Sequence, residues 1–142
     1  MKRTEWLEVL LRKKSLEIEK AANQVAEPLG LSFAQVRFLW FLYEQGDTPV
    51  RQVDLEAEFS MTNPSVTSVL RSLEDKHLVQ RVPHPEDGRS KIVRLTEEAV
   101  TYWPQLEKAR TELENRITAN LSEAQQEQLK ALLLQIDLNG GQ

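Results

Sequence analysis

The sequence predicts a mainly α fold with a small β-hairpin, and three observations predict it. Apolar residues recur at helical spacing through most of the chain, most cleanly as Val66, Val69, Leu70 and Leu73. Two short runs, 78–82 and 91–95, alternate instead and are rich in branched residues, with Pro83, Pro85 and Asp87-Gly88 supplying a turn between them. The helix just before that hairpin sets a small, hydroxyl-rich outer face against its apolar inner one, and the hairpin carries Arg89 and Lys91 near its tip. A helix sized for a groove followed by a charged hairpin is the layout of a winged helix-turn-helix core.

The elements follow in order. Residues 3–27 keep a rough helical period through Leu7, Leu11, Leu16, Ile18, Ala21, Ala22 and Val25, until Pro28-Leu-Gly30 stops it. A long helix at the start of a small domain has little to pack on, so it either lies across the body or pairs with another chain. Ser32 and Gln35 form a capping box that opens a helix over 33–45. Its apolar residues, Phe33, Val36, Phe38, Leu39, Trp40, Phe41, Leu42 and Tyr43, point nearly all round the axis, so it is expected to be central and buried. Residues 50–59 read as a short helix with Val53, Leu55 and Phe59 inward. Thr62 or Asn63 caps the next helix, and Pro64 sits in its first turn, where proline is tolerated. Opposite its apolar stripe lie Pro64, Thr67, Ser68 and Arg71, with Asp75 further on. After the hairpin, Thr96-Glu-Glu98 starts a helix expected to run to about Asn120 and to bend at Pro104. Ser122 and Gln125 form a second capping box, opening a helix with Leu129, Leu132, Leu133 and Ile136 on one stripe and Asn139-Gly-Gly as its stop.

Composition narrows the function. With 142 residues, 40% hydrophobic and 28% charged, the chain suits one soluble domain, or one with added helices. No apolar run approaches the ~18 residues that span a bilayer, and no signal peptide is expected from the N-terminal residues. There is no cysteine, which excludes disulfides, thiolate metal sites and a cysteine nucleophile, and fits a cytoplasmic protein. The net charge of −4 is unevenly spread: residues 60–96 carry six Lys/Arg against four Asp/Glu, while residues 97–142 carry four against eight. The segment holding this helix and hairpin, the candidate reader of duplex DNA, is the only net-basic one, and its bias is modest, so binding would lean on geometry and on two copies of the reader.

These residues resemble the winged-helix core of the MarR family of bacterial transcription regulators. The resemblance lies in Asn63-Pro-Ser-Val-Thr67, Leu73-Glu74, Leu78-Val79, Asp87-Gly-Arg89 and the closing Leu95-Thr-Glu97. It covers almost the whole chain and implies one MarR-like domain over 1–142, with the winged helix-turn-helix at 31–96 and dimerisation helices at 1–30 and 97–142. It also implies a homodimer that represses or activates through a pseudo-palindromic site in double-stranded DNA, most readily a repressor, and that is often released by a small ligand. His77 departs from the pattern, since the family often has glycine before the first wing strand, where a left-handed residue costs a side chain something.

The candidate site residues follow from the helix face and the wing. Arg71 can donate two parallel bonds to a guanine, and Thr67 and Ser68 can reach bases or phosphates. Asn63, Pro64 and Ser65 place a helix N-terminus, with its free N–H groups, toward a phosphate or simply cap it. Arg89 and Lys91 suit phosphates or a narrow minor groove, Ser90 a phosphate, and Asp87 the orientation of Arg89 or the turn itself. Each has a bland counterpart, a solvated helix face and an exposed hairpin. The aromatics Trp6, Phe33, Phe38, Trp40, Phe41 and Tyr43 suit either a core or a cleft for a small aromatic or lipophilic effector, and both readings stay open. His84 lies near Glu86 and Asp87, but a single histidine on a proline-flanked loop is expected to be exposed, so neither a metal nor another cofactor is expected. No phosphate loop, metal cluster or nucleophile–base spacing appears, so an enzyme is not expected. The alternative is a winged-helix docking module, which would have no need of Arg71, Arg89 and Lys91 together.

Overall fold

The computed structural model describes residues 2–139. Helix α1 (Leu7–Ala26) follows a short 3-10 turn at Arg3–Glu5 and ends in another at Glu27–Leu29. Gly30 then takes φ 69°, the left-handed turn that lets the chain reverse. Helix α2 (Phe33–Gln45) begins at the expected box: Ser32 Oγ accepts from the Gln35 N–H at 3.2 Å, and Gln35 Oε1 accepts from the Ser32 N–H at 2.9 Å. Helices α3 (Gln52–Phe59) and α4 (Asn63–Asp75) make the helix-turn-helix. Strands β1 (Val79–Pro83) and β2 (Lys91–Leu95) pair antiparallel, with Val79 opposite Leu95 and Pro83 opposite Lys91. Helices α5 (Glu97–Thr101), α6 (Trp103–Thr118) and α7 (Glu123–Gln135) complete the described chain.

Phe38, Leu39, Leu55, Val66, Leu70, Leu73 and Leu106 have almost no exposed surface and form one core with Leu78, Val79 and Val93. At about 1.5–3 kcal/mol for each large apolar side chain, this cluster is what fixes α4 and the hairpin on α2. A second cluster, Ala22, Val25, Ala109 and Leu113, seals α1 against α6, and the two alanines let the helices approach closely. The central helix α2 joins the two bodies. Trp40 Nε1 donates to Leu106 O at 2.9 Å, and the Tyr43 hydroxyl donates to Ala99 O at 2.8 Å. Arg110 pairs with Glu44 at 3.3 Å while lying over the Trp103 ring, itself 4.1 Å from the Tyr43 ring. The α2 aromatics are therefore packing groups, with Phe38 stacked on Phe59 and Phe33 edge-on to Trp40, whereas Trp6 is 51% exposed.

Five expectations change. Val53 is 61% exposed rather than inward, because at 100° per residue it lies opposite the Leu55–Phe59 stripe. Val50 is not helical: its carbonyl accepts from the Val93 N–H at 2.7 Å, adding a short bridge to the wing. The first wing strand begins one residue later than expected because Leu78 belongs to the turn out of α4, its N–H bonding Leu73 O at 2.9 Å. The chain does not merely bend at Pro104 but breaks into two helices at Tyr102, with Pro104 in the first turn of the second. Helix α7 stops at Gln135, as Ile136 turns extended, before Asn139; Gly140 and Gly141 lie outside the described residues.

Candidate nucleic-acid interface

Helix α4 is held from both ends and from beneath. Thr62, not Asn63, is the cap: its Oγ1 accepts from the Ser65 N–H at 3.3 Å, and its hydroxyl donates to Ser65 Oγ at 2.9 Å. Asn63 ties the helix back to α3 instead, with Nδ2 donating to Glu56 Oε2 at 3.1 Å. Val66, Leu70 and Leu73 face the core. At the far end His77 takes φ 60°, and its N–H bonds Glu74 O at 2.9 Å. The left-handed residue expected there is real, and it turns the chain sharply into β1; His77 O also accepts from the Thr96 hydroxyl at 2.7 Å.

With the inner face fixed, the outer face is determined. Asn63, Pro64, Thr67, Ser68, Arg71, Ser72 and Asp75 line one open depression along α4. Ser68 and Arg71 are exposed, and the Arg71 guanidinium has no hydrogen bond or ion pair among the described residues. Thr67 is half-buried because Gln52, in the first turn of α3, donates to its Oγ1 at 2.8 Å.

The wing is ordered by its own polar groups. His84 Nδ1 accepts from the N–H groups of Glu86 at 3.0 Å and Asp87 at 3.3 Å. Asp87 Oδ1 accepts from the Arg89 N–H at 3.1 Å, so this carboxylate serves the turn and not the guanidinium. The Ser90 hydroxyl donates to Asp87 O at 3.3 Å. These bonds leave the Arg89 and Lys91 side chains exposed and without partners among the described residues.

The six cations of segment 60–96 thus divide. Lys76 is spent on Gly30 O at 2.8 Å and Gln35 Oε1 at 3.1 Å, and Arg81 on Glu74 at 3.1 Å. Arg71, Arg89, Lys91 and Arg94 remain exposed and unpaired among the described residues, one on the helix and three on the wing. The expected helix residues Asn63, Pro64, Thr67, Ser68 and Arg71 share the open face of α4, while Arg89, Ser90 and Lys91 lie apart from it on the wing. The sequence alone did not single out Arg94, which is exposed on β2 and borders the cleft with Tyr43 and Val100, or Gln52, whose bond to Thr67 depends on how α3 crosses α4 and leaves no local signal. Such a surface can offer a groove a row of hydroxyls and one guanidinium, and offer phosphates a separate set of cations.

Comparison with known proteins agrees with this architecture. A sequence model described as the MarR family matches residues 29–90. The Bacillus subtilis regulator YwoH, an uncharacterised helix-turn-helix transcriptional regulator, is 31% identical over 110 residues, covering 78% of each chain. The Pseudomonas putida helix-turn-helix repressor IacR is 27% identical over 111 residues, covering 78% of this chain but only 65% of IacR. Among solved structures, S. aureus MepR in complex with DNA superposes with a TM-score of 0.85 at 28% identity, covering 99% of this chain and all of MepR. A probable transcriptional regulator from Pseudomonas aeruginosa gives 0.82 at 27% identity, over 96% of this chain and 100% of that one. These relatives are regulators and not enzymes. Of the described residues, no helix is long and apolar enough to cross a membrane. The chain belongs to the MarR family of helix-turn-helix transcriptional regulators.

Proposed function

We propose that this chain is a cytoplasmic, sequence-specific reader of double-stranded DNA that acts as a homodimeric repressor on a pseudo-palindromic operator. The observation that carries this reading is the division of the cations: among the described residues the reader's exposed arginines and lysine have no protein partner while its other two cations are consumed internally. An unpaired guanidinium on a groove-sized helix beside a wing of unpaired cations is what base and phosphate contacts require. The relation to MepR, solved on DNA, supports the same geometry.

In this reading residues 31–96 form the reader. Arg71 takes a guanine edge, and Thr67 and Ser68 take neighbouring base edges. Asn63, Pro64 and Ser65 bring the start of α4 to the backbone. Arg89, Ser90 and Lys91 carry the wing onto phosphates or the minor groove, with Asp87 holding the turn. Segments 1–30 and 97–142 join the two copies. Their large exposed side chains, among them Leu7, Leu10, Leu11, Leu129, Leu132 and Leu133, support that assignment because one chain leaves them in water. Two readers would then enter successive major grooves about 10 base pairs apart. A small aromatic or lipophilic effector would release DNA by changing the spacing of the readers, which requires different affinity for the two arrangements.

The test is an anisotropy titration of labelled duplex from upstream of the protein's own gene against unrelated duplex at several salt concentrations. Tight, selective, salt-sensitive binding that weakens in Arg71→Ala and Arg89→Ala is the expected result. No binding at low salt, where a DNA reader binds even non-specifically, contradicts the reading and favours a docking module.

A further inference from the structure

Thr67 faces the groove with part of its hydroxyl already committed. Gln52 Nε2 donates to Thr67 Oγ1 at 2.8 Å and reaches Asn63 O at 3.4 Å. The second contact fixes the amide's orientation, because Oε1 in that place would face another carbonyl oxygen. Gln52 is therefore the donor and the threonine oxygen the acceptor. A threonine in a helix can spend its proton on the carbonyl four residues back, as Thr118 does on Glu114 O at 2.8 Å. Thr67 makes no such bond to Asn63 O, and its proton finds no acceptor among the described residues. What it retains for the groove is its hydroxyl proton and one lone pair; the N–H from Gln52 polarises the oxygen, which strengthens the O–H as a donor and weakens the remaining lone pair as an acceptor.

We propose that Gln52 is a specificity-determining positioning residue: by donating to Thr67 it keeps the threonine hydroxyl a donor to DNA, so that one position of each half-site is read for an acceptor edge and against cytosine. Guanine offers N7 and O6 in the major groove, adenine N7 and thymine O4, whereas cytosine offers only its N4 donor. The inference rests on α4 being the recognition helix. It adds a residue outside that helix whose chemistry sets the polarity of the contact. Replacing the amide by a carboxylate reverses this polarity, because Glu at position 52 would take the threonine proton and leave only an accepting oxygen for the base.

The experiment is selection of binding sites from a randomised duplex pool, run in parallel with wild type, Gln52→Met, Gln52→Glu and Thr67→Val. Base preferences are compared position by position as ratios, since an added carboxylate repels phosphates whatever the sequence. The wild type is expected to disfavour cytosine at one position per half-site by roughly twofold to tenfold, the worth of one neutral hydrogen bond. Thr67→Val and Gln52→Met flatten that position, and Gln52→Glu shifts it toward cytosine, while the rest of the half-site is still selected and so reports that the variants fold. If both Gln52 variants keep the wild-type profile at the position that Thr67→Val flattens, the inference is overturned. It is equally overturned if Thr67→Val flattens no position. A wild type that enriches no sequence at all would instead overturn the DNA-reading account beneath it.

Discussion

The reader and the terminal helices expose opposite kinds of side chain. On α4 the valines and leucines turn inward, and what remains outside is hydroxyls, an amide, Pro64, the Asp75 carboxylate and one guanidinium unpaired among the described residues. On α1 and α7 the charged and apolar residues are both outside: Leu7 is 72% exposed and Leu132 58%, on helices that otherwise carry Glu, Lys and Gln. The first surface is finished in water and ready for an ionic partner. The second stays unfinished until more apolar surface covers it. In the proposed reading the polar surface recognises DNA and the apolar one assembles two copies, and α2 links them through Trp40, Tyr43 and their carbonyl partners on α6 and α5.

If this contrast is right, the two surfaces fail in different ways. The largest effect on assembly is expected from Leu132→Asp combined with Leu133→Asp. Burying two carboxylates in an apolar interface is expected to weaken self-association by a hundredfold or more, on the order of 3 kcal/mol, with the chain itself still folded. Sedimentation velocity over a concentration series checks this, and unchanged association would remove α7 from the interface. Leu70→Ala should act on the other body, costing about 2–5 kcal/mol by emptying the core beneath α4, as read from denaturant unfolding. Next, Arg71→Ala should lower specific affinity by about 1–3 kcal/mol and relax one operator position, while leaving the melting temperature nearly unchanged because the side chain has no protein partner among the described residues. Arg89→Ala should weaken all duplexes more evenly and reduce the salt dependence by about one counterion, which separates phosphate contacts from base contacts.

The smallest effect concerns the link between the surfaces. Burial raises the Tyr43 phenol pKa above its ordinary value. The folded state favours the neutral hydroxyl that donates to Ala99 O, so this contribution is complete below the unfolded value near pH 10 and is lost as pH rises through the folded one. Thermal melts of wild type and Tyr43→Phe should therefore converge at strongly alkaline pH. A gap that widens there would contradict the assignment.

Much of this was legible in the sequence where a single helix carries the information. Ser32 and Gln35 set one end of α2 and Gly46 the other, and the expected bounds hold. The outer face of α4 followed from counting 100° steps away from Val66, Leu70 and Leu73. Val53 failed because eight residues hold too few apolar positions to fix a stripe. The break at Tyr102 failed because proline's preference for a first turn competes with its capacity to kink a longer helix. What could not be read was tertiary. Gln52 meets Thr67 only once α3 crosses α4, and nothing along the chain separates the spent Lys76 and Arg81 from the free Arg71 and Arg89.

In the proposed assembly one surface reads DNA while the other sets two readers a helical turn apart. Hydroxyl-radical footprinting on a selected operator, with wild type beside the Leu132→Asp, Leu133→Asp double variant, tests it most directly. Two protected patches about 10 base pairs apart are expected for the wild type, and for the double variant loss of both at concentrations where wild type protects fully. A single protected patch for the wild type, or an unchanged double footprint for the variant, would contradict it.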